Sequence, residues 1–479
     1  MALADKVWKM ADVLRKTGVS FTDYVSQLTY LLFLKMDAEQ VEIYGNTSAL
    51  VPESCRWNTL TSLQGEDLSK AYVAALQTLS EQSNIIGVIY NNAQNKITKP
   101  AHLRRVIEMI DAETWLALDV DVKGAIYESI LEKNASAEKG AGQYFTSRAL
   151  IRAIVDVMRP VAGLSIHDPF CGTGGFLLGA YEYIRKQNPD YRELERLQKR
   201  GLSGNDISPL VVSLASMNMY LHGIGAQKDA NLPILCRDTL SEPEARSFDM
   251  VLANPPFGTG ANVQEGESTV TLTDDRFFAV TSNTQLNAVQ HIMAILKQTG
   301  RAAVVVPDNV LSGEDTAGAA IRRKLLEQFN LHTILRLPTG IFYAQGVQAN
   351  VIFFDKCPLD GKSHHTEKVW VYDYRTNIKH TLVQKPMKRE HLDEFVTCYR
   401  ADDITRRKET YSEKTPDGRW RCFSYADIIK RPNTNLDLRW IKPQEDTIEG
   451  TMEELVAMLE EEITKQQTAL AALKKQLSL

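Results

Sequence analysis

Between residues 165 and 355, seven short apolar runs each stop at an aspartate, an asparagine or a proline. They are SIHD (165–168), GLSGND (201–206), LPILCRD (232–238), DMVLAN (249–254), RAAVVVP (301–307), HTILRLP (332–338) and NVIFFD (350–355). Runs of this length, rich in β-branched residues, read as strands, and helical spacing of apolar residues fills most of the gaps between them. Strands alternating with helices predict an α/β fold built on a doubly wound, mostly parallel sheet. Such a sheet binds ligands at the carboxyl ends of its strands. The residues where the runs stop are therefore the candidates for function.

The flanks read differently. The first 130 or so residues look helical, with Trp8, Ala11, Val13 and Leu14 on one stripe and Gly18 able to end it. Ser20-Phe21-Thr22-Asp23 offers a capped start for YVSQLTYLLFLKMDAEQ. The opening MALADKVWKMADVLRK carries charges throughout, so it is not expected to be a signal peptide. No apolar run approaches the roughly 18–20 residues of a membrane span. EKNASAEKGAG (132–142) is small, polar and glycine-bearing, as linkers are. The sequence thus divides into an N-terminal helical domain (1–134), a catalytic α/β domain (135–400) and a C-terminal region (401–479). Six cysteines without a CxxC pair argue for reduced thiols in the cytoplasm, and against a disulfide framework or a zinc site.

HDPFCGTGGF (167–176) follows the first strand. Asp168 ends that strand, and Gly172, Gly174 and Gly175 make a tight turn where backbone can approach a ligand closely. It is neither GxGxxG nor a phosphate loop, because no GK[ST] follows, so dehydrogenase and ATPase chemistry are disfavoured. Asp206 ends the second run, where an acid is placed to accept from ribose hydroxyls. Asp238 ends the third, placed to accept from an adenine amino group with Leu240 against the ring. Taken singly, either acid is equally readable as a helix N-cap.

The fourth run breaks off in Asn254-Pro255-Pro256-Phe257. Two prolines forbid further ladder pairing. They hold two acceptors rigidly, the Asn254 side-chain oxygen and the Pro255 carbonyl, and adjacent acceptors fit an –NH₂ donor. An adenine amino nitrogen is a poor nucleophile because its lone pair is delocalised. Hydrogen bonds from both of its N–H groups draw it toward a tetrahedral, more nucleophilic form. Phe257 offers a face on which the base can stack.

Residues 142–257 resemble S-adenosylmethionine-dependent amino-methyltransferases of the DNA adenine-N6 group. DPFCGTGGF is similar to their cofactor motif and NPPF to their catalytic motif, in the gamma order. LLFLKMDAE (31–39), AGQYFTSRALI (141–151), QLNAVQHIMAILKQTGRAAVVVP (285–307) and LPTGIFYAQGVQANVIFF (337–354) extend the likeness to the modification (M) subunit of Type I restriction-modification systems. The resemblance implies a Rossmann-like methyltransferase sheet. It implies that Gln143, Tyr144, Phe145, Thr146, Ser147 and Arg148 line the methionine side of the cofactor, over a floor of Asp168, Thr173, Gly174 and Gly175. Asp206 would hold the ribose, Asp238 and Leu240 the adenine, and Asn254, Pro255, Pro256 and Phe257 the target base. The implied partners are double-stranded DNA with a flipped adenine, a specificity (S) subunit, a second M subunit and a restriction (R) subunit. Ala288 departs from the pattern, standing where many relatives carry a bulky aromatic.

Catalysis of this kind needs no metal, and positioning dominates it. His364-His365 lacks other ligand-type spacing, and His167 reads as a packed strand residue. The runs Arg322-Arg323-Lys324 and Arg406-Arg407-Lys408 read as solvated faces. The chain shows no base-reading module, and its net charge is −5 where a protein gripping DNA alone is more often basic, so target reading is expected from a partner. A stand-alone adenine methyltransferase, a protein-glutamine methyltransferase and a non-catalytic cofactor-binding scaffold are the competing readings. The tail from Thr451 opens with the capping box Thr451-Met452-Glu453-Glu454. It carries an apolar stripe through Leu455, Leu459, Ile463, Leu470, Leu473 and Leu477, which predicts a helix docked on a partner.

Overall fold

The computed structural model describes residues 9–10, 13–14, 21–45, 50–115, 146–227, 229–257, 275–342, 346–358, 360–382 and 384–444. Gln143, Tyr144, Phe145, the linker at 132–142 and the tail helix lie outside them. Met1–Trp440 forms one compact unit and Ile441–Leu479 a second.

The described N-terminal residues are helical, with α1 at Phe21–Tyr44, α2 at Trp57–Thr61, α3 at Gly65–Ser80, α4 at Ile85–Ile89 and α5 at Pro100–Asp111. Pro100 sits in the first turn of α5, where its missing N–H costs nothing. Asn84 caps α4 by accepting from the Ile86 amide at 2.9 Å. α1 is buried on nearly all sides, unlike a surface helix.

The α/β part follows as α6 (Arg148–Met158), β1 (Ile166–Asp168), α7 (Gly175–Lys186), α8 (Tyr191–Arg196), β2 (Leu202–Asp206), α9 (Pro209–Leu221), β3 (Ile234–Cys236) and β4 (Phe248–Ala253). Then come α10 (Thr284–Ile295), β5 (Leu296–Pro307), α11 (Asp308–Ser312), α12 (Thr316–Glu327), β6 (Phe329–Arg336), β7 (Ala349–Lys356) and β8 (Lys368–Asp373). The sequence closes with α13 (Asp393–Tyr399), β9 (Trp420–Ser424) and α14 (Tyr425–Ile429). All nine strands join one sheet in the order β3-β2-β1-β4-β5-β7-β6-β8-β9. The half from β3 to β5 is parallel throughout. β7 runs antiparallel to both β5 and β6, and β9 antiparallel to β8. β6 and β7 are joined by a hairpin, not by a helix.

Three strand readings need correction. The third run is shorter than LPILCRD suggests, since pairing ends at Cys236 and Asp238 lies in the loop beyond. β8 and β9 both lie outside the seven strand runs. Both stay paired because Trp370, Tyr372 and Trp420 stack together on one face of the sheet. The two basic runs are not wholly solvated either. Arg322 is fully buried, donating to the carbonyls of Val310, Gly313 and Asn433. Arg407 is buried against the Tyr399 ring and donates to the Tyr399 carbonyl at 2.7 Å.

The helices of the N-terminal region reach the sheet through α9. Tyr220 donates to Asp37 Oδ1 at 2.6 Å, and its ring packs on Phe33 with centroids 5.1 Å apart. Both sides of this contact belong to one buried apolar cluster. α9, which begins three residues after Asp206, is thereby fixed in place. Among the described residues, no helix is long and apolar enough to cross a membrane.

Candidate active site

The predicted site residues that are described converge on the carboxyl edge of β1, β2 and β4, with one group in the loop beyond β3. Asp168 is the last residue of β1 and Asp206 the last of β2. Both carboxyls are buried. Asp168 Oδ1 accepts from the Phe170 amide at 3.0 Å, and this short Asx turn starts the glycine-rich loop. Asp206 accepts from the Gly172 amide at 3.2 Å and from the Ser208 amide at 2.9 Å, so one carboxylate holds two loops together. Each oxygen keeps a further lone pair for another donor. Burial raises the pKa of both groups, and the Asp206 charge pushes Asp168 up further.

The glycine-rich loop is locked from behind. Gly174 has φ +84°, and a Cβ there would lie 2.6 Å from the Met219 methyl. A Cβ on Gly175 would lie 2.8 Å from Ile151 Cδ1. The Thr173 carbonyl accepts from Asn218 at 3.0 Å. Glycine is needed here for a left-handed turn and for packing of α7 on its neighbours.

Asp238 uses its carboxylate to shape its own loop. Oδ1 accepts from the Leu240 amide at 3.1 Å and Oδ2 from the Ser241 hydroxyl at 2.5 Å. The Thr239 hydroxyl ties this loop to the first by donating to the Pro169 carbonyl at 3.0 Å and accepting from Asn205 at 3.2 Å. Ile207 follows Asp206 and is 65% exposed, and its carbonyl lies 3.8 Å from the Cys236 thiol. It is a solvent-facing isoleucine between two carboxylate loops.

NPPF begins at the residue after β4. Asn254 is only 8% exposed. Its Nδ2 donates to the Thr146 hydroxyl at 2.9 Å. Its Oδ1 is buried and has no hydrogen-bond partner among the described residues. A buried acceptor of this kind costs on the order of 1–3 kcal/mol if it is never satisfied, so it is open to a donor from a ligand. The Pro256 carbonyl accepts from Gln285 at 3.1 Å, which fastens the Pro-Pro turn to α10. Phe257 is half-buried, and Phe342 meets it edge to face, with centroids 5.2 Å apart at 74°. Ser147 precedes α6 and Arg148 begins it, and just before them Thr146 is tied to Asn254.

A family model described as "N-6 DNA Methylase" matches residues 118–439. The chain belongs to the N-6 DNA methylase family. A second model, "HsdM N-terminal domain", matches residues 3–110. The chain is 37% identical to the Type I restriction enzyme StySJI methylase subunit of Salmonella typhimurium, over 92% of this chain and 88% of that one. It is 36% identical, with the same coverage, to the EcoKI methylase subunit of Escherichia coli K12. Among solved structures, the EcoKI M protein matches with a TM-score of 0.56 at 33% identity, covering 100% of this chain and 96% of that one. A chain from a study of type I R-M complex assembly matches with a TM-score of 0.71 at 25% identity, covering 99% and 98%. The reaction is therefore that of a Type I methylase subunit, methyl transfer from S-adenosylmethionine to N6 of adenine in DNA.

The residues of this N-6 DNA methylase fit that cofactor. Two buried carboxyls facing one loop suit a ligand that brings hydroxyl donors and positive charge. Several residues at the site escaped sequence reasoning. Phe342 lay inside LPTGIFYAQG, a segment noted for its likeness but given no role. Arg375 donates to Asp308 through both terminal nitrogens, at 2.7 and 2.8 Å, and to the Leu337 carbonyl at 2.9 Å, at the root of the loop that carries Phe342. Gln285 and Arg276 lie in stretches with no distinguishing spacing. Ala288 is fully buried in α10, and the aromatic that meets Phe257 comes from the β6–β7 hairpin. Away from this edge, His167 is buried, stacked 4.1 Å from the Phe248 ring, and burial lowers its pKa to about 3. His364 stacks on Tyr425.

Proposed function

We propose that Asn254 is the group that activates the target amine, and the observation that carries this reading is its buried, unsatisfied Oδ1. Thr146 occupies the amide nitrogen of Asn254, which leaves the oxygen for the adenine N6 donor. The Pro255 carbonyl is the second acceptor, and Pro256 stiffens the turn that holds both. Phe257 stacks the flipped base, with Phe342 supporting its edge. Asp206 accepts from the ribose hydroxyls, and Asp238 with Leu240 receives the adenine of the cofactor. Asp168, Thr173, Gly174 and Gly175 form the floor. Gln143, Tyr144, Phe145, Thr146, Ser147 and Arg148 close the methionine side. When bound, the cofactor supplies a methyl group on a sulfonium, which already has a good leaving group. The protein holds nitrogen, methyl and sulfur in line.

We place the protein in the cytoplasm, in a complex with a specificity subunit that reads the DNA sequence, a second M subunit and a restriction subunit. The three-part division at 134 and 400 and the docking role of the tail belong to the same reading. The acidic net charge supports it, since the grip on DNA is then shared. Deleting residues 450–479 should leave a folded protein that binds cofactor but no longer joins the specificity subunit. Co-purification of the truncated chain at undiminished yield would reject the docking role. Mapping N6-methyladenine in host DNA with and without the gene tests the function as a whole. Every methylated site should vanish with the gene, and an unchanged map would refute it.

A further inference from the structure

The loop that carries Asp238 and Leu240 is held from three directions. Inside it, the Asp238 side chain, the Glu242 amide, which donates to the Asp238 carbonyl at 2.9 Å, and Arg237, which donates to the Pro243 carbonyl at 2.8 Å and to Glu244 at 3.3 Å, hold the turn. From the β1 and β2 side, the Thr239 hydroxyl pins it. From the opposite side comes one guanidinium. Arg276 Nη1 donates to the carbonyls of Thr239 and Glu242, both at 3.0 Å, and Nη2 donates to the Leu240 carbonyl at 3.1 Å. Nη1 also lies 3.0 Å from Nδ1 of His291, which is fully buried in α10. The Phe277 ring lies beneath the guanidinium, 5.0 Å from its carbon.

We propose that Arg276 is a positioning residue for the adenine end of the cofactor. Its planar fork gathers three carbonyls of one loop and anchors them to α10. That fixes where the Asp238 carboxylate and the Leu240 side chain stand. An ammonium has no such fork and cannot reproduce the geometry. Arg276 also follows the catalytic tetrapeptide in the chain, so a single side chain joins the segment after NPPF to the cofactor's base pocket. The proposal rests on the reading of Asp238 as the acceptor for the adenine 6-amino group.

The test uses the full-length subunit and two probes, S-adenosylhomocysteine and S-inosylhomocysteine, the second of which lacks the 6-amino donor. Calorimetry on the wild type should show tighter binding of the first. Arg276→Ala should weaken S-adenosylhomocysteine by roughly tenfold or more, the scale of lost charge-assisted hydrogen bonds. It should weaken S-inosylhomocysteine less, through the Leu240 contact that both purine rings share, so the ratio between the probes falls. Arg276→Lys keeps the alkyl stem and a charge, and should fall between the two. It carries the same test should the alanine variant melt too early to titrate. An unchanged ratio in the folded variant, or equal weakening of both probes, would overturn the positioning role. A wild type that binds both probes equally would instead overturn the Asp238 assignment beneath it.

Discussion

The two halves of the site solve the same problem in opposite ways. On the cofactor side, every carboxylate is already engaged with its own loops. Asp168 starts the glycine turn, Asp206 joins two loops and Asp238 shapes a third. On the proposed target side, Asn254 Oδ1 is buried without a partner among the described residues, and only its amide nitrogen is tied down. The cofactor half is therefore preassembled and can bind by adding donors to carboxylates that hold their positions. On the proposed reading, the target half keeps an acceptor for a base that has left the helix. Preorganisation is spent where the ligand is always the same, and an unmet hydrogen bond is kept where chemistry needs a difference between empty and engaged states.

This contrast is broken most severely at Asn254. Asn254→Ala should reduce methyl transfer by at least roughly a hundredfold, in line with losing a group aimed at the reacting atom. Cofactor affinity should stay near that of the wild type, because Asn254 belongs to the other half. Single-turnover rates and calorimetry on one preparation check both, and equal loss of the two would erase the distinction.

Asp206→Ala attacks the preassembled half. The dissociation constant for S-adenosylmethionine should rise roughly tenfold or more, with DNA affinity of the assembled complex unaltered. Unchanged cofactor binding would reject the ribose role. Burial also predicts a pH signature. The Asp168 and Asp206 carboxyls have pKa values raised above 3.8, so the stability they contribute to the ligand-free protein is present at low pH and lost as pH climbs through the raised values. A cationic ligand offsets that loss. The gain in melting temperature on adding S-adenosylmethionine should therefore grow with pH across this range. A gain that shrinks with rising pH would mean the carboxyls do not face the ligand.

The smallest effect is expected at Phe257, where Ala should weaken base engagement by roughly 1–3 kcal/mol. Tyr or Trp should retain substantial activity. If both were as inactive as Ala, the ring's task would be packing against Phe342 and not stacking the base.

The contrast also explains what could be read from sequence. Asp168, Asp206 and Asn254 were legible because strand ends are punctuated by glycine, proline and acid, and the strands before them are continuous apolar runs. Asp238 was harder to place, since β3 stops at Cys236 and no composition change marks Arg237 between them. Phe342, Arg375 and Arg276 were not legible as site residues. Each reaches the site through contacts across 34 residues or more in the chain, as Arg276 does to Glu242, and no local spacing encodes such a contact. β8 and β9 escaped for a related reason. Their face is sealed by aromatic stacking between distant residues, Trp370 on Trp420, which leaves no clean alternation in either strand.

The central claim is that an unmet acceptor on Asn254 drives amino-methyl transfer to adenine. The direct measurement is nucleoside analysis of duplex DNA after incubation with isotopically labelled S-adenosylmethionine and the assembled complex, wild type beside Asn254→Ala. The account predicts label in N6-methyladenine for the wild type and none above background for the variant, with both proteins binding cofactor. Label in another nucleoside or in protein, or undiminished N6-methyladenine from the variant, would contradict it.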